Sequence, residues 1–515
     1  MPLAPTAPFR VVVVGAGFAG TTTSVQLLRA WRGGPLRLTL LESGGDPGPG
    51  VAFSTPDARH LLNVVAGSMS ALPDEPDHFL DWLRERAPDA TAGTFAPRLA
   101  YGAYLRGLLD EAIAEAPAAA EVTRLRDEAV AVDEGGSELP GGRSHAVATV
   151  RTAGGRRLEA DAVVLAVGVN RPRTPSGVVP ELLDHPGWVG DPWDHARLEA
   201  LAAAERVAIV GSGLTMIDVA ITLAGAGRAG AAGGGRIDGG AAGADAGRRV
   251  DDGAAGAAGR GPRLLALSRR GALPRAHRSA PPPRLTTFRP PLGPLTADRL
   301  AAHVESAALA EVAAGGDWRS AVDGVRPYTQ RLWQALPLGE QARFLARHAR
   351  RWEIHRHRMA PAVAARVAAL RESGRLELRA GSLQRVAPLT GGDGAAPIEL
   401  VYRGREGVTR VTVDAVVNCT GPDPAPTADP LLSGLIAAGR ARAGALGLGL
   451  DTALDGELRD CDGEPSPGLY TLGALRRGQL WESTAVPEIR CQAQELGALL
   501  AARGAALCAA RATAA

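Results

Sequence analysis

The chain has 515 residues, more than one hydrophobic core usually supports, so two to four domains are expected. Its 45% hydrophobic and 22% charged residues suit a globular protein and exclude a disordered one. A net charge of +2 gives no electrostatic case for nucleic acid or a membrane surface.

Phe9 to Val14 is an unbroken apolar run, the pattern of a strand buried on both faces of a parallel sheet. A glycine turn at Gly15 to Gly20, a helix from Thr21 to Trp31 and a strand from Leu36 to Leu41 complete a β-α-β unit. Residues 56–115 read as loop and helix, with an amphipathic stretch from His78 to Arg86, and strand character resumes from Arg156 to Gly168. A second start follows: a strand from Val207 to Val210, the turn Gly211-Ser212-Gly213 and an apolar helix from Leu214 to Leu223. Residues 225–261 are almost all Ala, Gly, Arg and Asp, a composition that builds no core and reads as a low-complexity insertion. A strand from Arg263 to Leu267 comes next, and then a stiff connector marked by Pro281 to Pro283 and by Pro290-Pro291. Helical periodicity runs from Thr296 to Arg371. A last strand from Gly468 to Gly473 precedes a helix from Pro487 to about Arg503.

One internal repeat organises these pieces. Asp161 to Gly168 and Asp414 to Gly421 share the pattern Asp-Ala-Val-Val-x-x-x-Gly, a short buried strand ending where the backbone must turn sharply. Two such strands, each downstream of its own glycine-rich turn, predict an α/β chain of two nested Rossmann-like dinucleotide-binding domains with a helical insertion. The first domain takes residues 1–180 and 422–515. The second takes 200–290 and 373–421, and the helical segment takes 295–372.

The chemistry is written in the two turns. Gly15-Ala16-Gly17-Phe18-Ala19-Gly20 lies between a strand and a helix. The first glycine serves the tight turn, the second the approach of a pyrophosphate, and the third the packing of helix on strand. Glu42 ends the next strand, where a carboxylate accepts ribose hydroxyls and suits an adenosine without a 2′-phosphate. The second turn, Gly211-Ser212-Gly213-Leu214-Thr215-Met216, has methionine at the third position, and its strand ends in Ser268-Arg269-Arg270. Guanidinium groups there suit the 2′-phosphate of NADPH, unless they are merely solvated in an arginine-rich chain. The two ends together predict FAD in the first domain and NADPH, in preference to NADH, visiting the second.

Other candidates are less specific. Arg350 to Arg358 is the most conspicuous basic cluster, either an anion-binding wall or a solvated helix face. Its His355 and His357 stand two apart on a helix and cannot share a metal, so no metal is expected. His277, with Arg275 and Arg278, either lines the approach to the nicotinamide or caps a loop. All the basic residues are arginine, which excludes Schiff-base chemistry and a P-loop lysine. Cys419, Cys461, Cys491 and Cys508 form no Cys-x-x-Cys pair, which argues against a dithiol relay. No apolar run in the sequence nears the roughly 18–20 residues of a bilayer span, and no signal peptide is read, so the expected location is the cytoplasm.

Several stretches resemble the FAD/NAD(P)-binding oxidoreductases that include FAD-dependent urate hydroxylase and the nitrosuccinate-forming L-aspartate N-monooxygenases. They are Val11 to Leu28, Gly50 to Thr55, His60 to Asn63, Met69 to Pro73, Asp77 to Trp82 and Gly211 to Asp218. Ser268 to Gly271, Arg343 to Leu345, His355 to Arg358, Leu480 to Glu482 and Ala485 to Arg490 continue the likeness over nearly the whole chain, apart from the insertion and the last ten or so residues.

The resemblance implies that Leu62 and Asn63 lie along the flavin, that Gly473 approaches FAD, and that the Pro487 helix aims its N-terminus at the ring. It also implies that Trp481 and Glu482 face the flavin, although Trp481 would equally serve as packing. Catalytic candidates are therefore Asn63, Trp481, Glu482 and His277. Gly168 and Gly421 join the two glycine turns among the cofactor-binding candidates.

The expected activity is an NADPH-oxidising, FAD-dependent monooxygenase. It would pass oxygen from a peroxyflavin to a small polar substrate, an amino acid or a purine-like ring, with residues 296–371 as a lid that excludes water. A reductase that delivers electrons to an acceptor, without oxygenation, is the alternative within enzymes. A flavin-binding scaffold is the alternative outside them. Substrate identity and oligomeric state are left open by the sequence.

Overall fold

The computed structural model describes residues 7–45, 47–138, 144–225, 261–279, 286–389 and 396–514. All of the low-complexity insertion except its two end residues lies outside the described residues, as do Pro281 to Pro283.

The first segment contributes β1 (Phe9–Val14), α1 (Phe18–Ala30), β2 (Leu36–Glu42), α2 (Gly50–Phe53), α3 (His78–Arg84) and α4 (Arg98–Ala114). After these come β3 (Ala120–Arg126), β4 (Ala129–Glu138), β5 (Ser144–Thr152), β6 (Arg157–Ala160) and β7 (Ala162–Leu165). The second domain opens with β8 (Trp188–Val189), α5 (His195–Ala200), β9 (Arg206–Val210), α6 (Leu214–Gly225) and β10 (Arg263–Ser268). The helical segment is α7 (Ala297–Ala313), α8 (Trp318–Gly324), α9 (Thr329–Ala335), α10 (Leu338–Arg347), α11 (Ala349–Arg356) and α12 (Pro361–Glu372). The second domain then resumes with β11 (Leu376–Ala380), β12 (Ser382–Pro388), β13 (Ile398–Gly404), β14 (Gly407–Val413) and β15 (Ala415–Asn418). The first is completed by α13 (Pro430–Ala437), β16 (Glu457–Arg459), β17 (Pro465–Thr471), α14 (Arg477–Leu480) and α15 (Val486–Ala514).

The two domains are built alike. A six-stranded sheet, β16-β17-β7-β1-β2-β3, is parallel except for β16; a five-stranded sheet, β11-β10-β9-β15-β8, is parallel throughout. Alternate residues of β1 explain its unbroken apolar run. Val11 and Val13 pack toward the cluster that holds residues of α1, α4 and α15, whereas Val12 and Val14 pack toward β4–β6 and α13. In β9, Val207 and Ile209 likewise face the α6 and α12 side while Ala208 and Val210 face β12–β14. Each parallel sheet is thus covered by helices on one face and by a three-stranded antiparallel sheet on the other.

The repeated aspartates share one task. Asp161 accepts from the backbone N–H of Arg10 at 2.8 Å, and Asp414 accepts from those of Glu205 and Arg206 at 2.7 and 2.9 Å. Each carboxylate therefore caps the start of the strand beside it in the sheet. α15 runs past its expected end to Ala514, and its Val486–Thr513 stretch is apolar and long enough, by length and composition, to cross a membrane. Here it lies on α1 so closely that a Cβ on Gly497 would stand 2.9 Å from Gln26 and Leu27.

Candidate active site between the two nucleotide folds

At the first turn, Gly15 has a φ of 91°, and its N–H donates to Leu41 O at 2.8 Å. A Cβ on Gly20 would run into the Gly15 carbonyl oxygen, so α1 closes on its strand only with glycine there. A Cβ on Gly17 would approach Gly50 to 3.3 Å, making a narrow backbone cradle. No side chain caps the N-terminus of α1, which leaves its positive end to an anion. Glu42 is anchored beside this turn, accepting from Ala16 N at 2.9 Å and from Gly44 N at 3.1 Å. Phe18 and Ala19 form the first turn of α1, with Phe18 buried in the core beneath.

The second turn differs. Gly211 has a φ of 124°, and a Cβ added at Gly213 would meet nothing within 4 Å, leaving that backbone open to a phosphate. Met216 is fully buried among the core residues of the second sheet. Ser268 Oγ and Ser212 Oγ are 2.8 Å apart, which links the end of β10 to the turn. Arg350 reaches over from α11, donating to Ser212 O at 3.2 Å and to Ala272 O at 2.9 Å. Burial, and then the neighbouring Arg270 and Arg269, push its guanidinium below the ordinary arginine range. Arg269 and Arg270 are exposed and form no ion pair among the described residues. Leu214 and Thr215 open α6.

Two imidazoles, donated in opposite directions, join the domains. His60, in the first domain, donates from Nε2 to Asp218 O of α6 at 3.1 Å while its Nδ1 meets Thr55 Oγ1 at 2.8 Å. His277, in the second, donates from Nε2 to Asn63 O of the first at 2.9 Å, which leaves Nδ1 as its lone-pair nitrogen. Burial depresses both, His277 to about 4. Arg98 of α4 pairs with Asp218 at 3.0 Å across the same boundary, both largely buried. None of these partners is near the other in sequence, so the interface was not legible there.

Below the interface lies a cavity of about 860 Å³. Leu62, Asn63, Gly168, His277, Trp481 and Glu482 line it, so six of the sequence candidates border one cavity. Gly168 and Gly421 both have positive φ, with no atom within 4 Å of an added Cβ. Pro422, next to Gly421, reaches the cavity, as does Ala474, next to Gly473. Gly473 has a φ of 71° and donates to Gln492 Oε1 at 3.1 Å. Thr484, Ala485 and Val486 place the start of α15 on the wall. The glycine turns themselves and Glu42, Ser268, Arg269 and Arg270 lie outside this wall.

Seven arginines and four carboxylates line the cavity. The cationic excess is stabilised by carboxylates on and behind the wall: Arg326 pairs with Glu488 at 2.8 Å, Arg319 with Asp317 at 3.1 Å and Arg477 with Glu353 at 3.2 Å. Glu482 is fully engaged, one oxygen accepting from Trp352 Nε1 at 2.9 Å and the other from Arg356 at 3.1 Å. It acts on this geometry as a clamp between α11 and the loop before α15. His357 faces this cavity, with its pKa pushed down to about 4 by burial, whereas His355 faces a different one. Trp481 is the one non-glycine residue with positive φ among the described residues (φ 60°, ψ −74°), a sparsely populated conformation that costs about 1–3 kcal/mol. It is held by stacking on Trp333 at 5.0 Å and by Arg477 over its ring at 4.8 Å.

The sequence model of the FAD-NAD(P)-binding family matches residues 12–170. Over 202 residues the chain is 29% identical to the nitrosuccinate-forming L-aspartate N-monooxygenase of Streptomyces davaonensis, a match spanning 33% of this chain and 30% of that protein. The ornithine N-hydroxylase of Kutzneria sp. 744, solved with reduced FAD, NADP+ and L-ornithine, superposes with a TM-score of 0.58 at 18% identity, covering 96% of this chain and all of that one, 100%. The L-lysine 6-monooxygenase of Pseudomonas syringae gives 0.59 at 16% identity over 96% and 99% of the two chains. Over nearly its whole length the chain therefore shares the fold of these two solved structures, and its residues 12–170 match the FAD-NAD(P)-binding family model.

Proposed function

We propose that the chain is a cytoplasmic, FAD-dependent, NADPH-oxidising monooxygenase that hydroxylates a small, polar, amino-acid-like substrate. One observation carries this reading. Two nested nucleotide folds, one ending its second strand in Glu42 and the other in Arg269 and Arg270, close over a single arginine-rich cavity. The uncapped start of α1, the Gly17–Gly50 cradle and the open Gly168 backbone fit an FAD, with Glu42 at its ribose. The open backbone at Gly213 and Gly421, with Arg269, Arg270 and Arg350 around the turn, fits NADPH. The relatives named above, hydroxylases of aspartate, ornithine and lysine, support the reading in kind.

When bound, the flavin supplies hydride acceptance and oxygen activation. The chain's own residues supply the rest. His60, His277 and the Arg98–Asp218 pair hold the two nucleotide sites in register. The α15 N-terminus offers a positive dipole end where reduction builds negative charge. The arginines of the wall select a substrate with a carboxylate, while α8, α9 and α11 shut out water. His277 and His357, neutral at physiological pH, add no positive charge to the wall beside a substrate ammonium group.

The test is anaerobic mixing of the flavin-loaded protein with NADPH, followed by air. The expected result is loss of flavin absorbance, then its return with hydroxylated product only when a suitable amino acid is present. Failure of NADPH to bleach the flavin overturns the reading. Bleaching with peroxide release and no product across small amino acids and purines makes the chain a reductase.

A further inference from the structure

A second cavity, of about 490 Å³, is walled mainly by the helical segment and is not used in the reading above, although it shares Arg319 and Trp481 with the first. Four of the chain's eight tryptophans wall it: Trp318 of α8, Trp333 of α9, Trp352 of α11, and Trp481 from the first domain. Leu300, Val304, Ala308 and Val312 stand four residues apart on α7 and give it one aliphatic side. A pocket of this size walled by four indoles falls in the size range of small-molecule sites.

The polarity of the wall defines what fits. Trp333 and Trp352 turn their N–H groups away, to Gly478 O at 2.8 Å and to Glu482 Oε1 at 2.9 Å, and present carbon to the cavity. Most rim polar groups are already engaged. Arg351 pairs with Glu305, Arg319 with Asp317 at 3.1 Å, and His348 with Asp298 at 2.6 Å, while His355 Nδ1 donates to Arg351 O at 2.8 Å. Arg275 is the exception: it is exposed at the rim and its guanidinium has no partner among the described residues. Leu309 and Val312, exposed by 64% and 51%, mark where the chamber opens to solvent.

We infer that this chamber is a second ligand site, for a planar aromatic molecule bearing one carboxylate, its ring against the indoles and its anion on Arg275. Flat walls select a flat body, and the one unbalanced cation selects a single negative charge. Trp481 forms part of both chambers, so occupancy of this one bears on the cofactor-side wall.

The experiment is calorimetric titration of the full flavin-loaded chain with 2-naphthoate, beside 2-naphthol and hexanoate, with tryptophan fluorescence as a second readout. Expected is saturable binding of 2-naphthoate with quenching of indole emission, and affinity at least about tenfold weaker for either comparison probe. Arg275→Ala should bring 2-naphthoate down to the level of 2-naphthol. Ala308→Phe should abolish binding by filling the chamber, with Ala301→Phe as the second filling variant should the first unfold by circular dichroism. No saturable binding at millimolar 2-naphthoate, or binding that survives a folded filling variant, overturns the site. Equal affinity for 2-naphthoate and 2-naphthol overturns the role of Arg275.

Discussion

The two glycine turns have the same topology and opposite demands. In the first, α1 presses on its strand so tightly that the third position admits no side chain; in the second, Met216 fills that position and becomes core. The difference shows that the third glycine of such a motif answers to a helix-to-strand distance, and the fold survives its loss where the helix stands off. The ends of the second strands differ in the same independent way. Glu42 is tied back to its own turn, whereas Arg269 and Arg270 have no ion-pair partner among the described residues and their turn is gripped by Arg350 from another segment.

The sharpest way to break this comparison is Gly20→Ala set beside Met216→Ala. The first should yield no stable, flavin-retaining protein, because the clash is with backbone. The second should fold, at a cost of about 2–5 kcal/mol for the cavity it leaves. Chemical denaturation and flavin content after gel filtration read both, and a well-folded Gly20→Ala protein would refute the distance argument.

Next in size is the boundary that holds the two turns in register. Arg98→Ala leaves Asp218 buried without its cation and should cost about 3–5 kcal/mol, measured as a lowered denaturation midpoint. The effect should be smaller in Arg98→Ala with Asp218→Asn.

The imidazole ties give a pH test with a definite sign. His277 in the folded chain sits near 4, below its ordinary 6.5, so the unfolded chain binds the extra proton first. Its contribution is complete above about pH 6.5 and is lost as pH falls toward 4, by about 3 kcal/mol at most. Tm against pH should fall over that window, and His277→Gln should flatten the fall.

The smallest effect belongs to Arg269 and Arg270. Arg269→Ala with Arg270→Ala should raise KM for NADPH by about 10- to 100-fold and leave KM for NADH unchanged. Equal changes for both would remove the 2′-phosphate assignment.

The central parallel strands β1, β7, β9 and β15 were legible because each carries a continuous apolar run, and the glycine turns because their spacing is local. The antiparallel strands β4 and β5 and the sheet β12–β14 escaped the sequence reading. Strands such as Gly407–Val413 are exposed on one face, so their apolar residues are diluted by Thr and Arg. The C-terminal helix ran past its expected end because its alanine-rich tail carries high helix propensity with no terminating signal. Within the site, the candidate lining residues were found by motif. The engagement of both Glu482 oxygens and the role of His60 at the boundary depend on partners more than a hundred residues away, which no window along the chain contains.

The nesting of one domain inside the other has a consequence for biogenesis. Every strand of the inner sheet, from Trp188 to Asn418, has left the ribosome before β17 and α15 exist. The outer sheet must wait for β17 to lie against β7, and α1 must wait for α15. The domain whose first strand emerges earliest is thus the last able to close, and until the final fifty or so residues are made its nascent half presents an open β7 edge and an uncovered α1 to the chaperones that meet it.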